Sequence, residues 1–567
     1  MQKDYQNWSK EKLLHEYKEL LKRKKFGIVW EDKPEDVAEQ CKTSVPVLKE
    51  ESKKDISSDK NGVTNIMIEG DNYHALSVLN YTHKRKVDII YIDPPYNTGN
   101  KSWMYNNHYV DKDDRFSHSK WLSFMSKRLR LAKNLLKSES GVLICTIDDN
   151  ENAALALLLQ ELFPSYEIVG VVIIHNPAGV QGKNFSYTHE FAYFVYPQNS
   201  KRIGTTARDK DLISPLRDWG GTSTRKLAKN CFFPIIIKDE VIVGFGEVCP
   251  QDFHPKSSNV KQKDGTIYVY PIDKHGEEKK WVYSRNSAEK NLDQLFVKVI
   301  GGEYVIMRKK SAFTYRTVWN DKRYYANIYG SKLLNSIIPD KFPFPKSLYA
   351  VEDCIKAVIH DKDNAVILDF FAGSGTTGHA VLELNKKDGG SRQFILCTNN
   401  EDNNGSGKKI AVDICYPRIK NVIQGYKTST GKVQGLGGNL KYFSTTFVDN
   451  VKTDNDKRVF TSRCTEMLCL AEATFSEVVN KKSSFAIYEN QEQMTGIIYD
   501  EDAISDFKKE AKKYRKPFVV YVFSYDHTYN EEDFEGLDNL KIVKPIPEVI
   551  LNVYRKIYKE LYKPRHL

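Results

Sequence analysis

The sequence predicts an α/β fold: a doubly wound sheet with a β-rich insert, followed by a small α+β segment. Three observations predict it. Apolar runs without alternation, VDIIYI at 87–92, GVLICTID at 141–148 and AVIL at 365–368, read as strands buried on both faces. Helical periods stand between strands: YHALSVLNYTH after VTNIMIEGDN, a short strand from 63, WLSFMSKRLRLAKNLLK at 121–137 and ALALLLQELF at 154–163. That alternation is the pattern of a parallel sheet covered on both sides. Between 198 and 330 the rhythm is lost, and short aromatic runs such as VIVGFGEV, GTIYVYPI and KKWVYS lie among Gly, Asp and Lys turns.

In chain order, residues 9–25 place Leu13, Tyr17, Leu20 and Leu21 at helical spacing behind a Ser9 cap. Residues 31–62 are rich in Lys and Glu and read as a linker, so 1–62 is an N-terminal helix and linker. Residues 63–197 form the first half of the sheet, in which IVGVVIIHN (168–176) and HEFAYFVYP (189–197) are further strands. Residues 198–330 are the insert. The α/β rhythm returns over 331–445 with PFPKSLYAVEDCIKAVI and RQFILCTNNE. Residues 446–567 form a C-terminal α+β domain containing SFAIYE, TGIIYD, FVVYVFSYD and a final helix, PEVILNVYRKIYKELYK. There is no internal repeat.

Composition narrows the function. A chain of 567 residues exceeds one core, and about three to four domains are expected. No apolar stretch approaches the roughly 20 residues of a membrane span, and MQKDYQNWSKEK has no hydrophobic signal region, so a cytoplasmic protein is expected. The nine cysteines form no C-x-x-C, which offers zinc no site and fits free thiols in a reducing compartment. The net charge is +11, and Gln198–Gly330 holds 24 Lys+Arg against 15 Asp+Glu. That excess points to a polyanion partner, with a solvated basic surface as the alternative.

Two strand ends carry the chemistry. FAGSGTTGHA (371–380) opens a helix after a strand. It is not an ATP-binding P-loop, because His379 and Ala380 stand where lysine and a hydroxyl are needed. Gly373, Gly375 and Gly378 satisfy a dinucleotide-type spacing, and a plain tight turn is the other reading. About 280 residues earlier, Asp93-Pro94-Pro95-Tyr96 follows VDIIYI; ligands of such sheets sit at the carboxyl ends of strands. Two prolines fix φ and remove two donors, so an acid, outward carbonyls and an aromatic ring are held rigidly together. A carboxylate and a proline carbonyl can accept both hydrogens of an exocyclic amine while the ring stacks on its base. A capping aspartate in a stiff turn is the plainer alternative.

DPPY and FxGxG together resemble the motifs of amino-methylating DNA methyltransferases. Their order, with an insert between them, resembles the circularly permuted β group. Residues 63–420 look most like the modification subunits of type III restriction–modification systems, through GDNYHAL, DPPYNTGN, KWLSFMSKRL, THEFAYFVY and FPFPKS. The resemblance implies a Rossmann-like methyltransferase sheet, S-adenosyl-L-methionine as cofactor, double-stranded DNA as substrate and 198–330 as the target-recognition domain. It implies that Asp93, Pro94, Pro95 and Tyr96 hold the target amine. It further implies that Asp369, with Phe371, Ala372, Gly373, Ser374, Gly375 and Thr376, cradles the cofactor. Lys346 and Ser347 match a segment beside the cofactor carboxylate, Asp71 a position near its adenine, and Glu401 the acid on its ribose hydroxyls. A homodimer, and a separate ATP-dependent restriction subunit, are implied partners.

The expected reaction is methylation of adenine N6 in an extruded base, without a covalent enzyme intermediate. N4-cytosine methylation more often resembles an SPPY loop, and RNA or protein-glutamine methylation an NPPY loop. A DNA-recognition subunit without catalysis is the alternative from another class. TIDDNE (146–151) ends another strand and either touches the site or caps a helix. Residues 421–567 contain no Walker motif and no nuclease constellation.

Overall fold

The computed structural model describes residues 8–21, 30–59, 62–99, 104–105, 108–110, 114–339, 342–360, 362–401, 407–449, 451–481, 483–525 and 528–561. Ten strands form the central sheet: β1 Ser44–Glu50, β2 Thr64–Glu69, β3 Ile89–Ile92, β4 Val142–Ile147, β5 Tyr166–Ile174, β6 His189–Pro197, β7 Val318–Trp319, β8 Val366–Asp369, β9 Gln393–Thr398 and β10 Asn439–Asp449. Their spatial order is β1-β10-β2-β9-β8-β3-β4-β6-β5-β7. From β10 to β4 every pairing is parallel. The all-parallel expectation fails at the edges. β1 runs antiparallel to β10, and β6 lies antiparallel to both β4 and β5. Between β5 and β6 the chain forms a small hairpin, Val180–Gln181 against Ser186–Tyr187, in place of a crossover helix, and the strand returns antiparallel.

The buried runs behave as their composition requires. Ile66, Ile68, Ile90, Ile92, Leu143, Cys145, Leu368 and Ile395 share one core with helices α1 Asn72–Thr82, α2 Ser117–Leu135 and α3 Asn152–Leu162. The residues between them, Met67, Ile89, Ile144, Ile367 and Phe394, are equally buried on the opposite face. There, helices α4 Leu348–Ile359 and α5 Thr376–Asp388 pack on each other and against β3 and β9.

Three boundaries differ from those read in the sequence. The supposed linker contains β1, whose Val47 and Leu48 are buried; a short apolar run among charges escaped notice, and Pro46 is tolerated because the strand is an edge. The separate compact unit is Gly204–Tyr315, while the remainder of the expected insert returns to the first unit as β7, paired with β5. The last segment has its own five-stranded sheet, yet it belongs to the first unit. One face of that sheet, with Val519, Tyr521 and Ile546, joins the core around α1, and only the other face, around Phe485 and Phe507, is its own.

The Lys10–Leu21 helix covers part of the expected 9–25 span, and residues 22–25 lie outside the described residues. The Gly204–Tyr315 unit holds a three-stranded and a four-stranded sheet around Phe233, Ile235, Trp281 and Ile306. Of the tryptophans in the expected insert, Trp219 is exposed. Trp281 fills the unit's core, and Trp319 is buried in the first unit.

Candidate functional site

The two chemistry-bearing loops leave neighbouring strands. β3 and β8 pair in parallel, with Ile89 opposite Ile367. From β8 the chain goes on to β9 on one side, and from β3 to β4 on the other. The loops therefore diverge and open a crevice at their carboxyl ends, the position where this class of sheet binds ligands.

The β3 loop begins at Asp93. Its Oδ1 accepts hydrogen bonds from the hydroxyls of Tyr96 and Thr146, both at 2.7 Å, and lies 3.1 Å from Lys346 Nζ. Among the described residues Asp93 Oδ2 accepts none. Fully buried Trp121 donates its indole N–H to the Pro95 carbonyl at 2.7 Å and so fixes the proline pair. Tyr96 also reaches Glu190 Oε2 at 3.1 Å. Burial, reinforced by Asp93 and Glu190, holds the Tyr96 phenol well above its ordinary pKa, so it stays a neutral donor.

Lys346 completes this cluster. Its ammonium donates to Glu190 Oε2 at 2.5 Å and to the Tyr96 hydroxyl, and lies 4.6 Å from the centre of the Tyr96 ring. Burial opposes its charge, but Asp93 and Glu190 more than reverse this and raise its pKa. Glu190 is buried as well; its desolvation is outweighed by Lys346, and its pKa falls below the ordinary value. Lys346 is thus joined to the Asp93 loop, whereas its neighbour Ser347 donates to the Arg323 carbonyl at 2.6 Å ahead of α4.

The β8 loop turns on glycines. Gly373 and Gly375 have φ of +49° and +79°. A Cβ at Gly375 would lie 3.1 Å from Cys415 Sγ, and one at Gly373 3.3 Å from the Phe342 ring. Asp369 braces the turn from beneath, accepting from the Phe371 N–H at 2.9 Å and the Thr377 hydroxyl at 2.6 Å. Burial pushes its carboxyl up to about 7. Behind the loop, buried Arg418 donates to Ser374 Oγ at 3.0 Å and Thr376 Oγ1 at 2.8 Å. Asn72, at the start of α1, ties that helix to the glycine loop by donating its Nδ2 to the Phe370 carbonyl at 3.0 Å.

Both loops face one cavity of about 1340 Å³. Its wall includes Asp93, Pro94, Pro95, Tyr96, Lys346 and Ser347, and also Asp71, Phe371, Gly373 and Glu401. Asp369, Ala372, Ser374, Gly375 and Thr376 stand behind the wall rather than on it. At the Asp71 end, the Arg128 guanidinium lies 2.7 Å from Glu35 and 3.3 Å from Asp71, stacked 3.6 Å over the Phe124 ring. Asp71 also caps α1 through the Tyr73 N–H. Burial, then the nearby Asp71, pushes the Glu401 carboxyl up to about 7. Among the described residues, no group of three or more His, Cys, Asp or Glu is placed to hold a metal ion, and no helix is long and apolar enough to cross a membrane.

A family model described as a DNA methylase matches residues 87–404. The chain belongs to this family. The DNA methylase is 32% identical over 348 residues to the type II methyltransferase M.KpnI of Klebsiella pneumoniae, an alignment covering 58% of this chain and 79% of that protein. It is 27% identical over 446 residues to the type III restriction-modification enzyme EcoPI Mod subunit of Escherichia phage P1, covering 69% and 67%. Among solved structures, the M1.HpyAVI–SAM complex aligns with a TM-score of 0.27 and 13% identity over 60% of this chain and 97% of that one.

Several residues of the DNA methylase site were missed in the sequence. Glu190 lies inside the quoted run THEFAYFVY, and Thr146 opens TIDDNE, but neither carries a signal of its own. Arg128 and Arg418 carry no distinguishing signal in the sequence, yet both are fully buried. TIDDNE touches the site, since Thr146 bonds Asp93 while Asp148, Asp149 and Asn150 line the cavity; the other reading fails, because Glu151 stands at the N-cap of α3 without a side-chain bond to that helix.

Proposed function

We propose that this DNA methyltransferase transfers the methyl group of S-adenosyl-L-methionine to N6 of an adenine extruded from duplex DNA, as the modification component of a restriction–modification system. The observation that carries the reading is the pairing of β3 with β8, which aims the Asp93 loop and the glycine loop into one cavity. Its volume exceeds the roughly 300–1,000 Å³ of a single-ligand pocket, which suits a cofactor and a base side by side.

The residues present fit the cofactor. Gly373 keeps clear a wall position that a side chain would fill, Phe124, Phe342 and Phe371 offer apolar surface, and Glu401 and Asp71 offer acceptors for hydroxyl and amino groups. S-adenosylmethionine supplies, when bound, a methyl group activated by an adjacent sulfonium. The chain's own part is to hold the amine. Asp93 Oδ2 and the Pro94 carbonyl accept its two hydrogens, which frees the nitrogen lone pair from the ring. Thr146 and Tyr96 fix the carboxylate so that its negative charge is already aimed where positive charge develops. The Tyr96 ring provides a stacking face.

The test is incubation of DNA with the protein and labelled S-adenosylmethionine, then nucleoside digestion and mass spectrometry. N6-methyladenine is expected; N4-methylcytosine alone would overturn the base assignment and keep the class. The Gly204–Tyr315 unit is the proposed target-recognition domain, and a homodimer with a separate ATP-dependent restriction subunit the proposed assembly. Light scattering that shows a monomer at micromolar concentration would remove the dimer.

A further inference from the structure

The acceptor cluster poses an electrostatic problem. Methyl transfer brings a cationic sulfonium to an amine on which positive charge develops. Yet the chain places a third cation, the Lys346 ammonium, 3.1 Å from the carboxylate that holds the amine. Alone, Lys346 would cancel Asp93 and leave the pocket neutral in a site where low dielectric magnifies every charge. Glu190 is the countermeasure. Its side chain is 4% exposed and lies 2.5 Å from Lys346. Within this hydrogen-bonded cluster Tyr96 is neutral for the reason given above, and the adjoining His175 is neutral because burial holds its pKa below the ordinary value; Asp148 and Asp149 lie on the cavity wall outside the cluster, and their charges are common to every variant compared below.

We propose that Glu190 is a positioning residue that sets the Asp93–Lys346–Glu190 cluster at one net negative charge, by neutralising Lys346 and leaving the charge of Asp93 free for the transition state. This rests on the methyl-transfer reading above. Lys346 in turn acts on the Asp93–Tyr96 loop, donating to both, rather than on the carboxylate of the cofactor. Glu190 lies outside the Asp93–Tyr96 and glycine motifs, within the run THEFAYFVY, and the charge-balancing role is read from its contact with Lys346.

Charge balance makes the proposal testable by rescue. Glu190→Gln preserves shape but leaves Lys346 opposing Asp93, whereas Glu190→Gln with Lys346→Met removes both charges and restores the net −1. The assay uses the full chain on a duplex carrying the motif read by single-molecule sequencing of DNA from expressing cells. Glu190→Gln is expected to lower kcat at least a hundredfold with KM for DNA within about threefold. The double variant is expected to recover at least tenfold of that loss. A double variant no faster than Glu190→Gln overturns the proposal. Where Glu190→Gln does not fold, the double variant alone decides: kcat within thirtyfold of wild type supports the charge balance, and a larger loss refutes it. Calorimetric titration with S-adenosylmethionine gives an independent reading. Lys346→Met should keep Kd within about threefold, and a larger rise would return Lys346 to the cofactor. Absence of methylation by the wild-type chain would instead sink the functional reading itself.

Discussion

At the scale of single residues, Asp93 and Asp369 show how two acids at adjacent strand ends acquire different work. Asp93 keeps one oxygen free toward the cavity, while Asp369 spends both on its own loop. Asp93→Ala should therefore lower kcat about a thousandfold or more, with S-adenosylmethionine affinity measured by calorimetry nearly unchanged. Asp369 should report on stability. Its folded pKa of about 7 lies above the unfolded value near 3.8, so folding is favoured at acid pH and that advantage is lost as pH rises through 7. Asp369→Asn does not titrate, and relative to wild type it should gain about 1–3 kcal/mol between pH 5 and pH 8 in urea unfolding. A difference between the two proteins that is constant with pH would mean Asp369 ionises freely.

At the scale of elements, α2 does more than cover the sheet. Its Trp121 reaches across to the Pro95 carbonyl, so the rigidity of the proline pair depends on a residue outside it. Trp121→Phe should leave that carbonyl without its donor, cost about 1–3 kcal/mol in stability, and lower kcat/KM by roughly tenfold or more. Unaltered turnover would show that the prolines alone hold the loop. The strands around this site were legible because each, though β3 and β8 hold only four residues, lies in a mostly apolar run closed by an acid, and the helices because their apolar residues keep a helical period. The two loops were legible because their chemistry is local in sequence. What could not be read was whatever depends on pairing at a distance. β1 is a few apolar residues that become a strand only beside β10. Glu190 gains its role only when folding brings it within reach of Lys346. Asp369 and Thr376 belong to a legible motif, yet which of its atoms face the cavity is decided by packing behind it, where Arg418 sits.

For the whole molecule, the distribution of charge decides what the insert can do. Gly204–Tyr315 carries 19 Lys+Arg against 14 Asp+Glu, a smaller excess than over 198–330, because several cations lie in the flanks that belong to the first unit. Phosphate contacts should set its affinity, each lost contact lowering the log–log salt slope by about 0.9. Exchanging Gly204–Tyr315 for the matching unit of a related methyltransferase should move the methylated motif while preserving the chemistry. An active chimera that still marks the original motif would place sequence reading in the first unit.

The pairing of β3 with β8 also has a cost in time. β3 is complete some 270 residues before its partner β8 exists, and at about 5–20 residues per second a ribosome needs roughly 15–55 s to supply it. Through that interval a four-residue, wholly apolar strand has an unpaired edge, on a nascent chain whose Gly204–Tyr315 unit contains all the strands of its own two sheets. The order of synthesis therefore favours an insert that matures while the catalytic sheet waits, and makes the half-built sheet the stage of biosynthesis most dependent on chaperones.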